Sequence, residues 1–219
     1  MLRLFRTTAV GPRIGGGFNV IMSRYTGPKS KLCRREGTHV YQRGGRCESG
    51  KCSLNRKPQA PGMHGNSKRR VSNFGVQLRE KQKIKRSYGL MEKNFRHYFE
   101  EAVRKQGVTG EIMLQLLERR LDNVVYRLGL AVSRPAARKL VTEGKVTVNG
   151  KKNTYPSYSV RLKDSVSTLM PFVAPDGYKF PLWLEFNKAS KSGSVAALPS
   201  RDQIDQSFNE QLVVEYYSR

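Results

Sequence analysis

Between Glu118 and Lys152 the chain reads ERRLDNVVYRLGLAVSRPAARKLVTEGKVTVNGKK, and few folds accommodate that pattern. At about 100° per residue, a helix over Arg119–Leu130 puts Leu121, Val124, Val125 and Leu128 on one side, with Leu117 a turn earlier. Arg119, Arg120, Asn123 and Arg127 fall on the other side, so the spacing predicts a buried stripe opposite a cationic ridge. Gly129 suits the end of that helix. Ser133 suits the cap of the next one, whose first turn tolerates Pro135 because that N–H has no partner there. Arg134 and Arg138 lie one turn apart beside Lys139, while Ala137, Leu140 and Val141 face inward, and Gly144 stops the helix. Lys145 leads into Val146-Thr147-Val148, which alternates like a strand. Asn149-Gly150 is a strong hairpin signal, with Lys151 and Lys152 at its tip. Two short helices and a hairpin are thus expected to gather cations on one surface, which suits phosphates.

The charge balance points the same way. The 219 residues carry a formal charge of +24, and from Met1 to Leu90 the only acids are Glu36, Glu48 and Glu80. A polyanionic partner uses such an excess, because neutralising phosphates releases their counterions. No apolar run approaches membrane-spanning length. The chain is long enough for one sizeable core or two modest ones.

The motif RLDNVVYRLGLAVSRPAARKLV-x3-KVTVNGK resembles the small RNA-binding module of the ribosomal small-subunit protein four family. MSRYTGPKSKLCRREG (22–37), PGMHG (61–65), FGVQLREKQKIKRSYG (74–89) and NEQLVVEYYSR (209–219) extend the resemblance beyond the module. On these motifs the chain is identified as a bacterial-type member of that family. The resemblance implies an α+β fold: a mostly helical domain, discontinuous in sequence, with an inserted module of two helices and a small antiparallel sheet. The expected division is an extension at 1–21, a basic cysteine-containing segment at 22–66, helical pieces at 67–108 and 182–219, and the module at 109–181. It also implies a structural, non-enzymatic role on the cytoplasmic ribosome rather than in an organelle. Such a protein is a primary binder of small-subunit ribosomal RNA that nucleates assembly of the subunit body and influences translational accuracy. Its implied neighbours are small-subunit ribosomal protein five and other small-subunit proteins, with no small-molecule substrate. Some members also repress their own operon.

Cys33, Cys47 and Cys52 follow the pattern C-x13-C-x4-C. An odd count in a cationic chain argues against a disulfide framework. Some members of the family resembled carry a fourth cysteine three residues before the first and bind structural zinc; here that position is Ser30. Structural zinc takes sulfur or imidazole, so His39 or His64 would have to substitute. Two readings stand: zinc with a substitute ligand, or three reduced thiols. Around them Arg24, Lys29, Lys31, Arg34, Arg35, Arg43, Arg46, Lys51, Arg56 and Lys57 sit among glycines, a composition expected to order mainly against RNA or metal.

Lys68, Arg69 and Arg70 open the helical part. Ser72 suits the cap of a helix running to about Tyr88, on which Arg79, Lys81, Lys83, Lys85 and Arg86 face a single local acid, Glu80. That imbalance predicts a phosphate-facing helix. Phe95, Tyr98, Phe99, Ala102 and Val103 repeat at helical spacing over Glu92–Lys105 and read as core, and Thr109 reads as the cap of the following helix. Past the hairpin, Tyr155, Tyr158, Val160, Val166 and Leu169 read as short strands and Asp164 as a turn. Met170–Pro181 reads as a loop, Trp183–Phe186 as a strand or docking segment, and Lys191–Val195 as a mobile stretch. Asn209 suits the cap of a last helix with Leu212, Val213, Tyr216 and Tyr217 inward.

Two alternative readings compete with a ribosomal one. Arg120-Leu121-Asp122 resembles the RLD of pseudouridine synthases, RNA-modifying enzymes whose aspartate is the nucleophile. Those enzymes continue with a Thr-Ser/Thr-Gly-Leu stretch, however, and Asn123–Arg127 stands in its place here. A free RNA-binding chaperone built on the same module would lack the cysteine segment and the returning C-terminal helix. Residues 1–21, with Arg3, Arg6, Arg13 and a glycine run, suit a presequence, a basic extension, or sequence upstream of a start at Met22, the last being favoured.

Overall fold

The computed structural model describes residues 24–41, 47, 50–66, 70–168, 170, 178, 180–187, 192–204 and 207–219. The expectations for 1–21, for Arg43, Arg46, Lys68, Arg69 and Leu169, and for most of Met170–Pro181 lie outside the described residues. The helices are α1 (Lys29–Glu36), α2 (Ser53–Arg56), α3 (Asn73–Ser87), α4 (Glu92–Val103), α5 (Thr109–Glu118), α6 (Leu121–Arg127), α7 (Arg134–Thr142) and α8 (Glu210–Tyr217). The strands are β1 (Val146–Val148), β2 (Lys151–Lys152), β3 (Ser165–Thr168), β4 (Leu184–Asn187) and β5 (Ser192–Val195), paired antiparallel in the order β2-β1-β3-β5-β4.

Local chemistry sets several boundaries. Ser72 Oγ accepts from the Gly75 N–H at 3.2 Å to start α3, and Ser133 Oγ accepts from the Ala136 N–H at 3.4 Å to start α7. Asn209 Oδ1 does the same for the Leu212 N–H at the head of α8. Asn149 and Gly150 both take positive φ, 51° and 77°, as a two-residue primed turn requires. The expected Thr109 cap is not made: Thr109 is the first helical residue, after Val108.

Two cores result. Ile84, Phe95, Phe99, Ala102, Met113, Leu114 and Leu117 pack with Ile204, Phe208 and Val213 in a helical lobe closed by α8. Val103, expected in that stripe, is exposed. Leu121, Val124, Val125, Leu128, Ala137 and Val141 pack on the sheet through Val146, Val148, Val166, Trp183, Leu184 and Val195.

The expected helix over Arg119–Leu130 is corrected. Arg120 adopts an extended conformation and bridges to Ser159, while the Leu121 N–H bonds to the Tyr158 carbonyl at 2.9 Å and the Val160 N–H to that of Arg119 at 2.9 Å. These cross-links separate α5 from α6. Tyr155, Tyr158 and Val160 accordingly lie in the turn and bridge rather than in strands.

The expected domain limits shift as well. α5 contributes its apolar face to the helical lobe, which moves the module's start from 109 to about 119. The stretch read as mobile is strand β5, and β4 and β5 belong to the module's sheet rather than to a helical piece beginning at 182. Gly193 explains the misleading composition: a Cβ there would collide with the Leu128 side chain, so the strand must be small to lie under α6.

Candidate nucleic-acid interface

The break between α5 and α6 brings Glu118 and the arginines of α6 and α7 together at the seam of the two cores. Glu118 is 1% exposed. Its carboxylate accepts from Arg127 Nε at 3.1 Å and Nη2 at 2.9 Å, from Asn123 Nδ2 at 2.7 Å and from the Tyr88 hydroxyl at 2.7 Å. Arg134 donates to Asn123 Oδ1 at 2.8 Å and lies over the rings of Tyr88 and Tyr126 at 5.0 and 4.9 Å. Burial alone would raise the Glu118 carboxyl. Arg127, by charge and hydrogen bond, then Arg134 and Tyr88, outweigh it and hold the group down at about 2. Burial likewise works against the Arg127 charge and is outweighed by Glu118, so that guanidinium is pushed up.

Asp122 forms the second node. It receives Arg120 Nε at 3.1 Å and Nη2 at 2.8 Å, and Arg138 Nη1 at 3.1 Å, while Arg120 Nη1 donates to the Tyr98 hydroxyl at 2.7 Å. Burial disfavours the charge of Arg120, but Asp122 and then Tyr98 raise its pKa. The predicted cationic ridge is thereby corrected: Arg120, Arg127 and Arg138 are sequestered with carboxylates, and Arg120 is 2% exposed. Desolvating a guanidinium requires such partners, and spacing along α6 alone does not reveal that Glu118, nine residues from Arg127, turns back to meet it. Asp122 is 5% exposed and both its oxygens are taken by guanidiniums, which is the arrangement of a structural anchor.

The predicted phosphate-facing helix α3 needs the same correction. Arg79 and Arg86 both pair with Glu36 of α1, Arg79 at 3.2 Å. Lys81, 3% exposed, donates to Glu92 at 2.6 Å and sits 4.4 Å from the centre of the Tyr216 ring. Lys85 meets the other Glu92 oxygen at 2.7 Å, and Lys83 meets Glu80 and the Ser207 carbonyl. Burial raises Glu92, but the hydrogen bonds from Lys81, Lys85 and Tyr217 bring it down to about 2. Counting acids along α3 missed Glu36 and Glu92 because both reach it from other helices.

The outward cations are a different set. Lys31, Arg35, Lys51, Arg56, Lys57, Arg70, Lys139 and Lys151 are exposed. Arg24, Lys29, Arg34, Arg119 and Lys145 are half-buried, with Arg34 donating to the Gln59 carbonyl, Arg119 to that of Val160, and Lys145 pairing with Glu143. Ser133 is spent on its helix cap. Lys139 keeps only a loose pair with Glu143 at 3.6 Å and leaves 72% of its side chain in solvent.

In the cysteine segment, His39, Cys47 and Cys52 place their ligand atoms within 4.8 Å of one another. Cys52 Sγ lies 3.8 Å from His39 Nδ1, and a small cavity beside them is also lined by Cys33 and Ser30. His39 is therefore the histidine gathered with the cysteines. His64 is exposed and stands apart from that group.

Comparison with known proteins places this geometry. Residues 24–118 match the family model described as "Ribosomal protein S4/S9 N-terminal domain", and residues 119–166 match "S4 domain". The small ribosomal subunit protein uS4 of Desulforamulus reducens is 51% identical over 208 residues, covering 90% of this chain and 100% of that protein. The chain belongs to the uS4 family. The uS4 proteins of Acetivibrio thermocellus and Dictyoglomus thermophilum are 50% and 49% identical over 208 and 206 residues, each covering 90% of this chain and all of the relative. The boundary between the two matched uS4 regions falls between Glu118 and Arg119, inside the buried network. The network is thus the joint between the family's two parts.

Proposed function

We propose that this chain is a structural constituent of the small ribosomal subunit that binds small-subunit ribosomal RNA and is not an enzyme. The observation that carries the reading is how the acids are used. Glu36, Glu118 and Asp122 are turned inward to clamp arginines, and Glu92 is engaged by two lysines, so a chain of formal charge +24 is left with lysines such as Lys31, Lys57, Lys139 and Lys151 outward. Such a surface attracts phosphates, and its rigid two-lobe frame suits recognition of RNA by shape. Family membership supports placement on a cytoplasmic ribosome of bacterial type, a primary role in assembling the subunit body, an influence on accuracy, and contact with small-subunit protein five. No described helix is long and apolar enough to cross a membrane.

The test has two arms. The protein should co-sediment with small subunits through a high-salt wash. Lys31→Ala, Lys139→Ala and Lys151→Ala together should lower the salt slope of ribosomal RNA binding by roughly 0.7–0.9 per lost phosphate contact. Stability should stay within about 0.5 kcal/mol of wild type. An unchanged slope removes these lysines from the interface.

The cysteine segment supports a structural zinc ion held by His39, Cys47 and Cys52, with Cys33 beside them as the fourth candidate; imidazole and thiolate are the donors zinc prefers. Bound there, zinc would supply folding energy to a segment with little apolar core. Elemental analysis of purified protein should find about one equivalent, and a metal-free protein retaining full stability ends the proposal.

A further inference from the structure

Between the N-terminal segment, the turn after α3 and the first turns of α7 lies a cavity of about 350 Å³. That is inside the roughly 300–1,000 Å³ range of small-molecule sites. Its walls combine two chemistries. Tyr25 supplies an exposed ring, buried Tyr41 and Tyr88 form the floor with Lys29 and Arg134 over their rings, and Lys139 adds a third cation. The wall's carboxylate, Asp122, is already bound by Arg120 and Arg138, so it does not oppose an incoming anion. Tyr25 is 40% exposed, leaving ring surface uncovered.

We propose that this cavity receives one unstacked nucleotide of the bound RNA, its base against the Tyr25 ring and its phosphate against Lys29 and Lys139. The inference rests on the RNA-binding reading above and adds a single-base contact to a surface that otherwise meets phosphates. A duplex cannot enter a concavity of this size, whereas an unpaired nucleotide can, and every base offers a face that stacks on tyrosine. Lys139 lines the cavity and makes a long surface pair with Glu143 that a phosphate displaces at small cost.

Thr26 tests the idea because it is exposed and lines both this cavity and the adjoining one. Thr26→Trp fills the space and leaves every charge in place; Tyr25→Ala removes a ring without filling anything. Full-length protein and small-subunit ribosomal RNA are used, with binding measured across salt and base faces probed chemically. Both variants should bind roughly ten-fold more weakly. Tyr25→Ala should leave the salt slope unchanged, and Thr26→Trp should lower it by roughly 0.7–0.9 for each phosphate contact it displaces. One nucleotide should lose its protection in both, and Thr26→Ala should bind as wild type. Folding of each variant is checked by its thermal transition. If both variants bind and protect as wild type does, the cavity is not a nucleotide site although the RNA reading survives. If wild type itself fails to bind the RNA, that reading falls and the cavity with it. A free nucleotide is the other source of this chemistry, and equilibrium dialysis with AMP distinguishes it. Retention of AMP by wild type and its loss in Thr26→Trp, with RNA affinity unmoved, overturns the proposal.

Discussion

Glu118 and Glu36 are two carboxylates with 1% of their side chains exposed, each facing arginines, and they respond in opposite ways. Glu118 is held down at about 2, whereas burial pushes Glu36 up despite Arg79 and Arg86 and pulls the Arg79 guanidinium down despite Glu36. The difference lies in how completely each anion is satisfied. Glu118 receives donors on both oxygens from Arg127, Asn123 and Tyr88. Both arginines of the other site converge on a single Glu36 oxygen. Desolvation is met in the first case and not in the second. The carboxylate at the seam between the lobes is thus the more completely compensated of the two, and the one that docks α1 on α3 the less.

Removing the satisfied carboxylate should do the most damage. Glu118→Ala strands Arg127, removes a distant partner of Arg134 and takes the acceptor from the Tyr88 hydroxyl, while the Asn123 amide keeps only the backbone carbonyl of residue 118. Chemical denaturation should show a loss of about 3–5 kcal/mol; a loss under about 1 kcal/mol would erase the contrast. The triple replacement of Arg120, Arg127 and Arg138 by Ala should also lower stability first, since their partners are Asp122 and Glu118 rather than phosphates.

Acid offers a second, smaller handle. A carboxyl depressed in the folded state stabilises it above the unfolded value and loses that contribution as pH falls through the folded one. For Glu118 the window runs from 4.5 down to about 2. Linkage assigns it about 3 kcal/mol. Glu92 titrates in the same sense, and Glu36, raised rather than lowered, in the opposite one. Comparing wild type with Glu118→Gln between about pH 5 and about pH 2 isolates the Glu118 share. The variant should start less stable and lose less on acidification, and parallel curves would refute the assignment.

Much of this was readable in advance where the determinant is local. Ser72, Ser133 and Asn209 cap the helices their neighbours imply, and Asn149-Gly150 makes the turn that positive φ at both residues demands. The apolar stripe of Leu121, Val124, Val125 and Leu128 is buried as its spacing requires. Long-range acids defeated the same logic on the polar side. Glu36 lies 43 residues from Arg79, and Glu92 reaches back to Lys81 from the next helix. Helical phase across Arg119–Leu130 also assumed continuity that the Arg120–Ser159 bridge breaks. Helical phase continued through that break assigns Arg120 to solvent, whereas its extended backbone aims it at Asp122 and Tyr98. The candidate site was legible as a composition, and which cations remain outward was decided by tertiary pairing.

The weak site supplies the last and smallest effect. In Glu36→Gln the buried charge disappears, so its desolvation cost is relieved, while the amide oxygen still accepts a hydrogen bond. Arg79 keeps 34% of its side chain in solvent, and the amide oxygen that remains is still an acceptor for Arg86, so neither is left without a partner. Stability should therefore change by less than about 1 kcal/mol, in contrast with the seam. The two guanidiniums are at the same time no longer held by an anion. If α1 undocks to admit RNA, they become available to phosphate, and the salt slope of ribosomal RNA binding should steepen by up to roughly 0.7–0.9 for each new contact. A stability loss as large as that of Glu118→Ala would show that Glu36 is as well satisfied as Glu118, and the distinction between the two carboxylates would collapse.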